Sequence, residues 1–396
     1  MNTSQLSRRH WLKKSTLTLA GMAMVPSDIW AEAVKTAHKN KSPYLFNVEN
    51  SFNEFTPPTL FDPEIKAILR ANENPYGPPP LAAKAFQDEV FSGNRYAWST
   101  LDNLVDMIAK KEGVKPSQIL MAPGSSDILE KVAMVFFQKG GDVISADPSY
   151  MSLMNVSESV GGKWKSYKLL ADSQHDLDAM ASGIDANTKL VYICNPNNPT
   201  GSITDASALR DFCIKASQKV PVFVDEAYIE LSNNSIKDSM VSLVAAGHDV
   251  MIARTFSKIH GMAGLRIGYL LGKEETINKI NDVTRGGMGL TGPSIMAATT
   301  SLQNDDFLIM TKTKIAEARD YTKNYLKEKN HAFLPSETNF VIFEIPMDGN
   351  SFLKKIYDKG VAVRAFKFWD KNWCRVSIGT MEEMTLFTNA MGEIFA

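Results

Sequence analysis

One lysine stands in surroundings that favour a reactive amine. The stretch RTFSKIHGMAGLRIGY, residues 254–269, places Lys258 directly after Ser257 and before a mostly apolar run, with Arg266 eight positions later. A solvated lysine usually has polar neighbours, whereas loss of water and a nearby positive charge both lower the pKa of an amine. A neutral amine attacks an aldehyde to form a Schiff base, and the stretch predicts that chemistry for Lys258.

A second set of polar residues follows apolar stretches that are typical of buried strands. Asp225 follows VPVFV, Tyr228 lies three positions later, and Asn198 belongs to NPNNPTG, residues 195–201. A carboxylate at such a strand end is suited to keep the nitrogen of a bound aromatic heterocycle protonated, which makes the ring an electron acceptor. The amide of Asn198 and the phenol of Tyr228 are suited to bind an oxygen on the same ring.

A third set of residues is typical of a phosphate site. Gly124, Ser125 and Ser126 come directly before a predicted helix. Backbone N–H groups at a helix start, hydroxyl groups and a guanidinium group all bind phosphate. This turn, together with Ser257 and Arg266, therefore predicts an anchor for a phosphate group.

Each of these residues also has an ordinary structural explanation. A serine before a helix is more often a cap than a ligand, an aspartate can cap a helix, and an isolated lysine or arginine usually lies at the surface. Tyr150 follows another predicted strand end, where its ring is suited to stack on a bound ring. The joint occurrence of these residues, each at a strand end, is what indicates one shared site.

Alternating strands and helices predict how these residues come together. Apolar runs such as GDVISAD, TKLVYIC and VPVFVD alternate with helical stretches after about residue 100. The alternation predicts an α/β fold with a mostly parallel sheet covered by helices on both faces. Such sheets bind ligands at the carboxyl ends of their strands. After Pro293, two helices and the short strands NFVIFEI, VAVRAF and CRVSIG predict a smaller α+β domain.

The sequence predicts four parts. Residues 1–33 resemble a signal peptide, because a basic segment precedes a short apolar stretch and small residues. Residues 34–98 form an arm that also contributes to the smaller domain, residues 99–295 form the large domain, and residues 296–396 form the smaller C-terminal domain. The Arg8-Arg9 pair in SRRHWLKK resembles the twin-arginine signal, which predicts contact with the twin-arginine export machinery and a place in the periplasm or cell envelope. The alternative is a basic tail on a cytoplasmic protein.

Composition excludes several classes of function. The formal net charge is −1, which argues against nucleic acid or an anionic membrane as the main partner. Three cysteines and six histidines show no metal-ligand spacing, so no metal site is expected. No stretch reaches the length of uninterrupted apolar sequence that a membrane-spanning helix requires.

The motifs NPNNPTG, VDEAY and RTFSKIHGMAGLRIGY resemble those of fold-type I pyridoxal-phosphate aminotransferases. The segments ANENPYGP (residues 71–78) and Arg95-Tyr96 add similarity to the histidinol-phosphate aminotransferase subfamily, and the likeness covers residues 65–390. The resemblance implies pyridoxal 5'-phosphate as cofactor, bound to Lys258 as a Schiff base. It implies that the other cofactor contacts are Gly124, Ser125, Ser126, Tyr150, Asn198, Asp225, Tyr228, Ser257 and Arg266.

The resemblance also implies partners and substrates. Tyr96 would reach the cofactor phosphate of a neighbouring subunit, which implies a homodimer with shared sites. Arg375 would bind the α-carboxylate of an amino acid, Arg364 matches an arginine that binds a substrate phosphate, and Asn74 is placed in the substrate pocket. The small-molecule substrates would be an amino donor and a 2-oxo acid.

The sequence leaves alternatives open. A decarboxylase or a lyase uses the same cofactor on the same fold, and a catalytically idle cofactor-binding protein of the envelope is a third possibility. The tyrosine that the subfamily carries shortly before the ANEN segment has no clear counterpart here. Phe366, Phe368, Trp369 and Trp373 either pack the smaller domain or line a pocket for an apolar side chain.

Overall fold

The computed structural model describes residues 53–56 and 65–396. The predicted export signal and most of the residues before 65 lie outside this described part. All described residues belong to one compact unit, residues 50–396. The predicted domain boundaries at residues 98 and 295 stay predictions. Among the described residues, no helix is long and apolar enough to cross a membrane.

The described residues form thirteen strands and thirteen α-helices, beside five short 3-10 helices. The strands are β1 (Asn53–Glu54), β2 (Ala67–Ile68), β3 (Ile119–Ala122), β4 (Gly141–Asp147), β5 (Gly162–Lys168), β6 (Thr188–Cys194), β7 (Val222–Asp225), β8 (Val250–Thr255), β9 (Gly268–Leu271), β10 (Phe340–Glu344), β11 (Val361–Ala362), β12 (Arg364–Phe368) and β13 (Lys371–Ser377). The helices are α1 (Pro80–Glu89), α2 (Trp98–Glu112), α3 (Ser125–Phe137), α4 (Ser152–Ser159), α5 (Leu177–Ser182), α6 (Ala206–Ala216), α7 (Ser235–Asp238), α8 (Val241–Ala245), α9 (Glu274–Asn281), α10 (Gly292–Ser301), α11 (Asp305–Glu328), α12 (Gly349–Asp358) and α13 (Met381–Ile394).

The large sheet has seven strands in the order β3-β9-β8-β7-β6-β4-β5. Every pairing from β8 to β5 is parallel, and only β9 runs antiparallel to its neighbours. Helices cover both faces of this sheet. Successive residues of a strand point to opposite faces, so neighbouring residues of one strand pack against different helices. Val222 and Val224 pack in the cluster with α2, α6 and α10, whereas Phe223 packs in the cluster with α3, α4 and α9. The predicted mostly parallel, doubly covered sheet is confirmed.

A second sheet lies in the region where the sequence predicts a smaller α+β domain. Its four strands are antiparallel, in the order β1-β12-β13-β10, and β2 pairs with β11 in a separate two-stranded ribbon. Helices α11, α12 and α13 contribute apolar residues to the buried cluster against these strands. Residues from the start of the described chain thus pair with strands that lie some 300 positions later.

The topology brings the polar strand ends to one edge of the large sheet. Strands β3, β4, β6, β7 and β8 run in the same direction, so their carboxyl ends lie together. Because β9 runs in the opposite direction, its start lies at that same edge, and Arg266 comes just before it. The predicted site residues are thereby collected although they are far apart in the chain.

Candidate active site

A cavity of about 490 Å³ lies at this edge. Its lining contains most of the predicted residues: Ser125, Ser126, Tyr150, Asn198, Asp225, Tyr228, Ser257, Lys258, Arg266, Arg364 and Arg375. Residues of the large sheet form one wall and residues of the second sheet form another. A volume of this size is typical of a small-molecule site.

Lys258 has a partly buried amine that lines this cavity. Its Nζ donates to the backbone oxygens of Asn72, at 3.0 Å, and Ala71, at 3.3 Å. Burial lowers the pKa of Lys258 to about 8, and the positive charges of Arg375 and Arg266 act in the same direction. The neutral form, which a nucleophile or proton acceptor requires, is therefore far more abundant near neutral pH than in an ordinary lysine, although it remains the minor form at pH 7.

Asp225 is a buried carboxylate at the end of β7. It is 2% exposed, and it accepts hydrogen bonds from the Tyr192 hydroxyl at 3.1 Å and from the Ala227 N–H at 3.1 Å. Burial raises its pKa to about 6 in spite of these two bonds. A cation placed against Asp225 would compensate for that burial, because a paired buried charge costs far less than an isolated one.

Glu226, the next residue, serves a structural purpose instead. Its carboxylate is buried, accepts from Arg254 at 2.9 Å and 2.8 Å, and also accepts from the backbone N–H of Met240 at 2.7 Å. The two adjacent acids of VDEAY thus have different environments, because one lines the cavity and the other pairs with a buried arginine.

The start of α3 gives the cavity an end that is suited to bind an anion. No side chain caps this helix, so its first N–H groups are left to a ligand or solvent. Gly124 precedes it with φ of +84°, and a Cβ there would lie 2.8 Å from Arg266 Cζ. Arg266 donates to the backbone oxygens of Ala263 at 3.0 Å and Pro123 at 3.2 Å, which fixes its guanidinium beside the helix start.

Arg375 forms the positive end on the second sheet. Its Nη1 donates to Asn198 Oδ1 at 2.7 Å and its Nη2 to the Arg70 oxygen at 3.0 Å, whereas its buried Nε has no hydrogen-bond partner among the described residues. The guanidinium lies over the rings of Phe340 and Phe366 at 5.4 Å and 5.3 Å. Burial lowers its pKa to about 10, so it remains a cation at neutral pH.

Three predicted residues are absent from the lining of this cavity: Gly124, which directly precedes Ser125, and Asn74 and Tyr96, which lie farther away. Asn74 donates to the Ile259 oxygen at 2.8 Å, accepts from the Tyr76 N–H at 3.0 Å, and borders a separate cavity of about 290 Å³. The substrate contact predicted for Asn74 stays a prediction; in this structure its side-chain amide bonds to backbone groups. Tyr96 is 76% exposed and stacks on Trp98 with ring centroids 5.5 Å apart.

The sequence motifs missed Asn72, which lines the cavity that holds Lys258. Asn72 Nδ2 donates to the Tyr228 hydroxyl at 3.0 Å, and its backbone oxygen accepts from Lys258. It has φ of +53°, a conformation that asparagine adopts more readily than most residues. The signal was present in the same ANENPYGP segment, but spacing alone did not decide which asparagine faces the cavity.

The residues present fit pyridoxal 5'-phosphate. The uncapped start of α3 and Arg266 suit its phosphate, and a Cβ at position 124 would disturb this arrangement. The buried carboxylate of Asp225 suits its ring nitrogen, and the partly buried amine of Lys258 suits its aldehyde. Tyr150 also lines the cavity, and its hydroxyl lies 3.4 Å from Ser126 Oγ.

Comparisons with known proteins agree with this chemistry. Residues 64–391 match the family described as aminotransferase class I and II. The histidinol-phosphate aminotransferases of Moorella thermoacetica and Brevibacillus brevis are each 33% identical to this chain; the matches cover 83% and 82% of it and 85% and 89% of those proteins. The structure of histidinol-phosphate aminotransferase from Sinorhizobium meliloti in complex with pyridoxal-5'-phosphate is 27% identical, with a TM-score of 0.75, over 83% of this chain and 90% of that chain. With this cavity and these relatives, the chain is a pyridoxal-phosphate-dependent enzyme that belongs to the class I and II aminotransferase family.

Proposed function

We propose that the enzyme transfers an amino group from an α-amino acid to a 2-oxo acid in two half-reactions that share one site. This proposal rests on one observation: the partly buried amine of Lys258 and the buried guanidinium of Arg375 line the same cavity. Arg375 is suited to hold a carboxylate, and Lys258 is suited to move a proton at the neighbouring carbon.

The roles of the chain's own residues follow from their positions. When bound, the cofactor supplies an aldehyde for the amine and an electron-accepting ring. Lys258 Nζ accepts the proton from Cα of the donor and later returns one to the product. Asp225 holds a proton on the ring nitrogen, and Tyr228 and Asn198 are available as hydrogen-bonding groups beside the ring. The Arg375 guanidinium orients the donor through its carboxylate.

A donor screen tests this proposal. The purified, cofactor-loaded enzyme is mixed with single amino acids, and the visible absorbance of the cofactor is recorded before and after a 2-oxo acid is added. A reversible absorbance change, with a new amino acid and a new 2-oxo acid as products, supports transamination. Release of carbon dioxide or of a β-substituent would instead identify a decarboxylase or a lyase. No change with any donor would contradict the proposal.

Histidinol phosphate is a second candidate donor. The relatives at 33% identity carry that name, and Arg364 lines the same cavity as Arg375. The donor screen therefore includes L-histidinol phosphate beside the amino acids.

We also propose that the enzyme is a homodimer. Large apolar side chains are exposed along one stretch of the chain, which is typical of an interface: Leu81, Val90, Phe91, Tyr96 and Trp98. If Tyr96 serves the partner's site, mixing Tyr96→Ala with Lys258→Ala subunits restores activity, because one site of each mixed dimer is complete. A mixture that stays inactive after verified subunit exchange, or a monomeric active enzyme, would contradict this proposal.

Export by the twin-arginine route is the third part of the proposal. Arg8 and Arg9 lie outside the described residues, and the proposal rests on their sequence context and on the cofactor. A phosphorylated cofactor does not readily cross a bilayer, so a folded, loaded enzyme is best exported as such. Replacing Arg8-Arg9 by Lys-Lys should leave an active, cofactor-bound enzyme in the cytoplasm. Cytoplasmic wild-type protein with an intact N-terminus would contradict export.

A further inference from the structure

A carboxylate occupies the substrate side of the cavity beside Arg364. Glu54 lies in β1, which pairs antiparallel with β12, and its register partner is Phe366. The Phe55 N–H donates to the Ala365 oxygen at 3.0 Å and continues that pairing. Glu54 forms a hydrogen-bonded ion pair with Nε of Arg364, and both residues line the cavity.

Glu54 shares one face of the second sheet with both substrate-side arginines. Arg364 and Arg375 are register partners on β12 and β13, and register partners point to the same face. Phe366 lies two residues after Arg364, so it points to that face too, and so does its partner Glu54. Where this face lines the cavity, two guanidinium groups and the Glu54 carboxylate leave a single net positive charge. Glu344 and Lys371 lie on the same face, but they pair with each other and are absent from the cavity lining.

The two arginines differ in how they are engaged. Arg375 has a buried Nε with no hydrogen-bond partner among the described residues, whereas Arg364 already has a carboxylate partner. A single substrate carboxylate requires only Arg375. A phosphate monoester, with nearly two negative charges, would have to share Arg364 with Glu54 and would be repelled by Glu54. Glu73 adds another carboxylate to the lining of the same cavity.

We propose that Glu54 is a specificity-determining residue that withdraws Arg364 from anion binding, so that the enzyme selects donors with one carboxylate and an uncharged side chain and excludes phosphorylated donors. The proposal rests on the aminotransferase function proposed above and names the substrate class of that same site. The neighbouring apolar side chains agree with it, because Phe366 lines the cavity and continues into a buried cluster with Ile342, Phe368 and Trp373.

The test compares two charge-removing variants of the cofactor-loaded enzyme. Glu54→Gln removes the cavity carboxylate. Glu344→Gln is the matched control: Glu344 belongs to the same sheet, pairs with Lys371 at 2.6 Å, and has a side chain that is 32% exposed, against 30% for Glu54. Glu344 is absent from the lining of the cavity. Thermal unfolding of each variant shows that it is folded.

Two measurements are made on each protein. The first is the dissociation constant of inorganic phosphate, by calorimetry, in cofactor-loaded enzyme whose own phosphate site is filled. The second is kcat/KM for L-histidinol phosphate relative to kcat/KM for L-phenylalanine. Removing one charge a few ångströms from a bound dianion should tighten phosphate binding by about tenfold in Glu54→Gln. The kinetic ratio should rise by a similar factor, and Glu344→Gln should change neither.

A double variant, Glu54→Gln with Arg364→Gln, assigns the effect to Arg364, because the gain in phosphate binding should then disappear. The proposal is overturned if the wild-type enzyme prefers L-histidinol phosphate to L-phenylalanine, or if Glu54→Gln binds phosphate no more tightly than Glu344→Gln. If no donor reacts with wild-type enzyme, the proposed aminotransferase roles fail, whereas the phosphate measurement still decides the role of Glu54.

Discussion

Replacement of Gly124 by alanine should selectively damage cofactor binding. Gly124 has φ of +84°, and a Cβ built there lies 2.8 Å from Arg266 Cζ and 3.1 Å from Nη1. The first distance is shorter than real Cβ contacts and the second is very tight, so the Arg266 guanidinium must move. Its guanidinium is held beside the start of α3 by the backbone oxygens of Ala263 and Pro123, which limits where it can go.

The expected magnitude has two parts. The left-handed backbone at position 124 should cost the folded protein about 1–3 kcal/mol in the alanine variant, because a side chain disfavours this conformation. Loss of one charge-assisted hydrogen bond to the cofactor phosphate should cost about 1.5–3 kcal/mol of binding free energy. The second part corresponds to a dissociation constant for pyridoxal 5'-phosphate that is roughly 10- to 150-fold larger.

Gly161→Ala separates the two parts. Gly161 also has a positive φ, of +105°, but a Cβ there meets no atom within 4 Å. Both variants should lose stability in chemical denaturation of the cofactor-free protein. Only Gly124→Ala should weaken the cofactor, measured by equilibrium titration of apoenzyme. Equal cofactor affinity in Gly124→Ala and wild type would refute the assignment of Arg266 and the α3 start to the phosphate.

Three further predictions concern the two charged groups around the ring. Lys258→Ala should abolish turnover and the cofactor adduct that borohydride fixes to the chain; near-normal turnover would exclude Lys258 as the reactive amine. Asp225→Asn should leave the protein folded but lower kcat by orders of magnitude, because a neutral amide cannot hold the ring nitrogen protonated; unchanged kcat would contradict this role. In apoenzyme, acylation of Lys258 should increase as pH rises through about 8, since only the neutral amine reacts and its pKa is lowered to that value. Arg375→Gln should move this transition to higher pH, and mass spectrometry of the labelled peptide measures both curves.

The sequence predicted the site best where a single polar motif lies at the end of a strand. Asp225 ends one completely buried strand and Lys258 follows another, and parallel strands bring their carboxyl ends to the same edge. The predicted fold class and the pyridoxal-phosphate chemistry followed from these local patterns. Arg375 belongs to a different sheet, and its placement depended on family resemblance rather than on spacing.

The residues that sequence reasoning missed depend on contacts between distant segments. Glu54 reaches the cavity because β1 pairs with β12, a contact across 310 positions that no local pattern encodes. Asn72 and Asn74 are two positions apart in one irregular segment, where the alternation that orients side chains in a strand does not apply. Tyr192 has an apolar neighbourhood in the sequence, yet its hydroxyl donates to Asp225 from the neighbouring strand.

The placement of Arg375 links substrate binding to the proton chemistry of Lys258. After burial, the charge of Arg375 is the largest cause of the lowered pKa of Lys258. In the proposed reaction, a carboxylate bound to Arg375 would offset that charge, so the pKa of Lys258 should rise when a donor is present. The amine is thus neutral enough to react before the donor binds, and it becomes a stronger base once the donor's Cα proton has to be removed. A donor without a carboxylate would raise the pKa of Lys258 in this way only if another anionic group of the donor bound to Arg375. Because Glu54 already pairs with Arg364, the proposed carboxylate contact of Arg375 would both position the donor and strengthen the base.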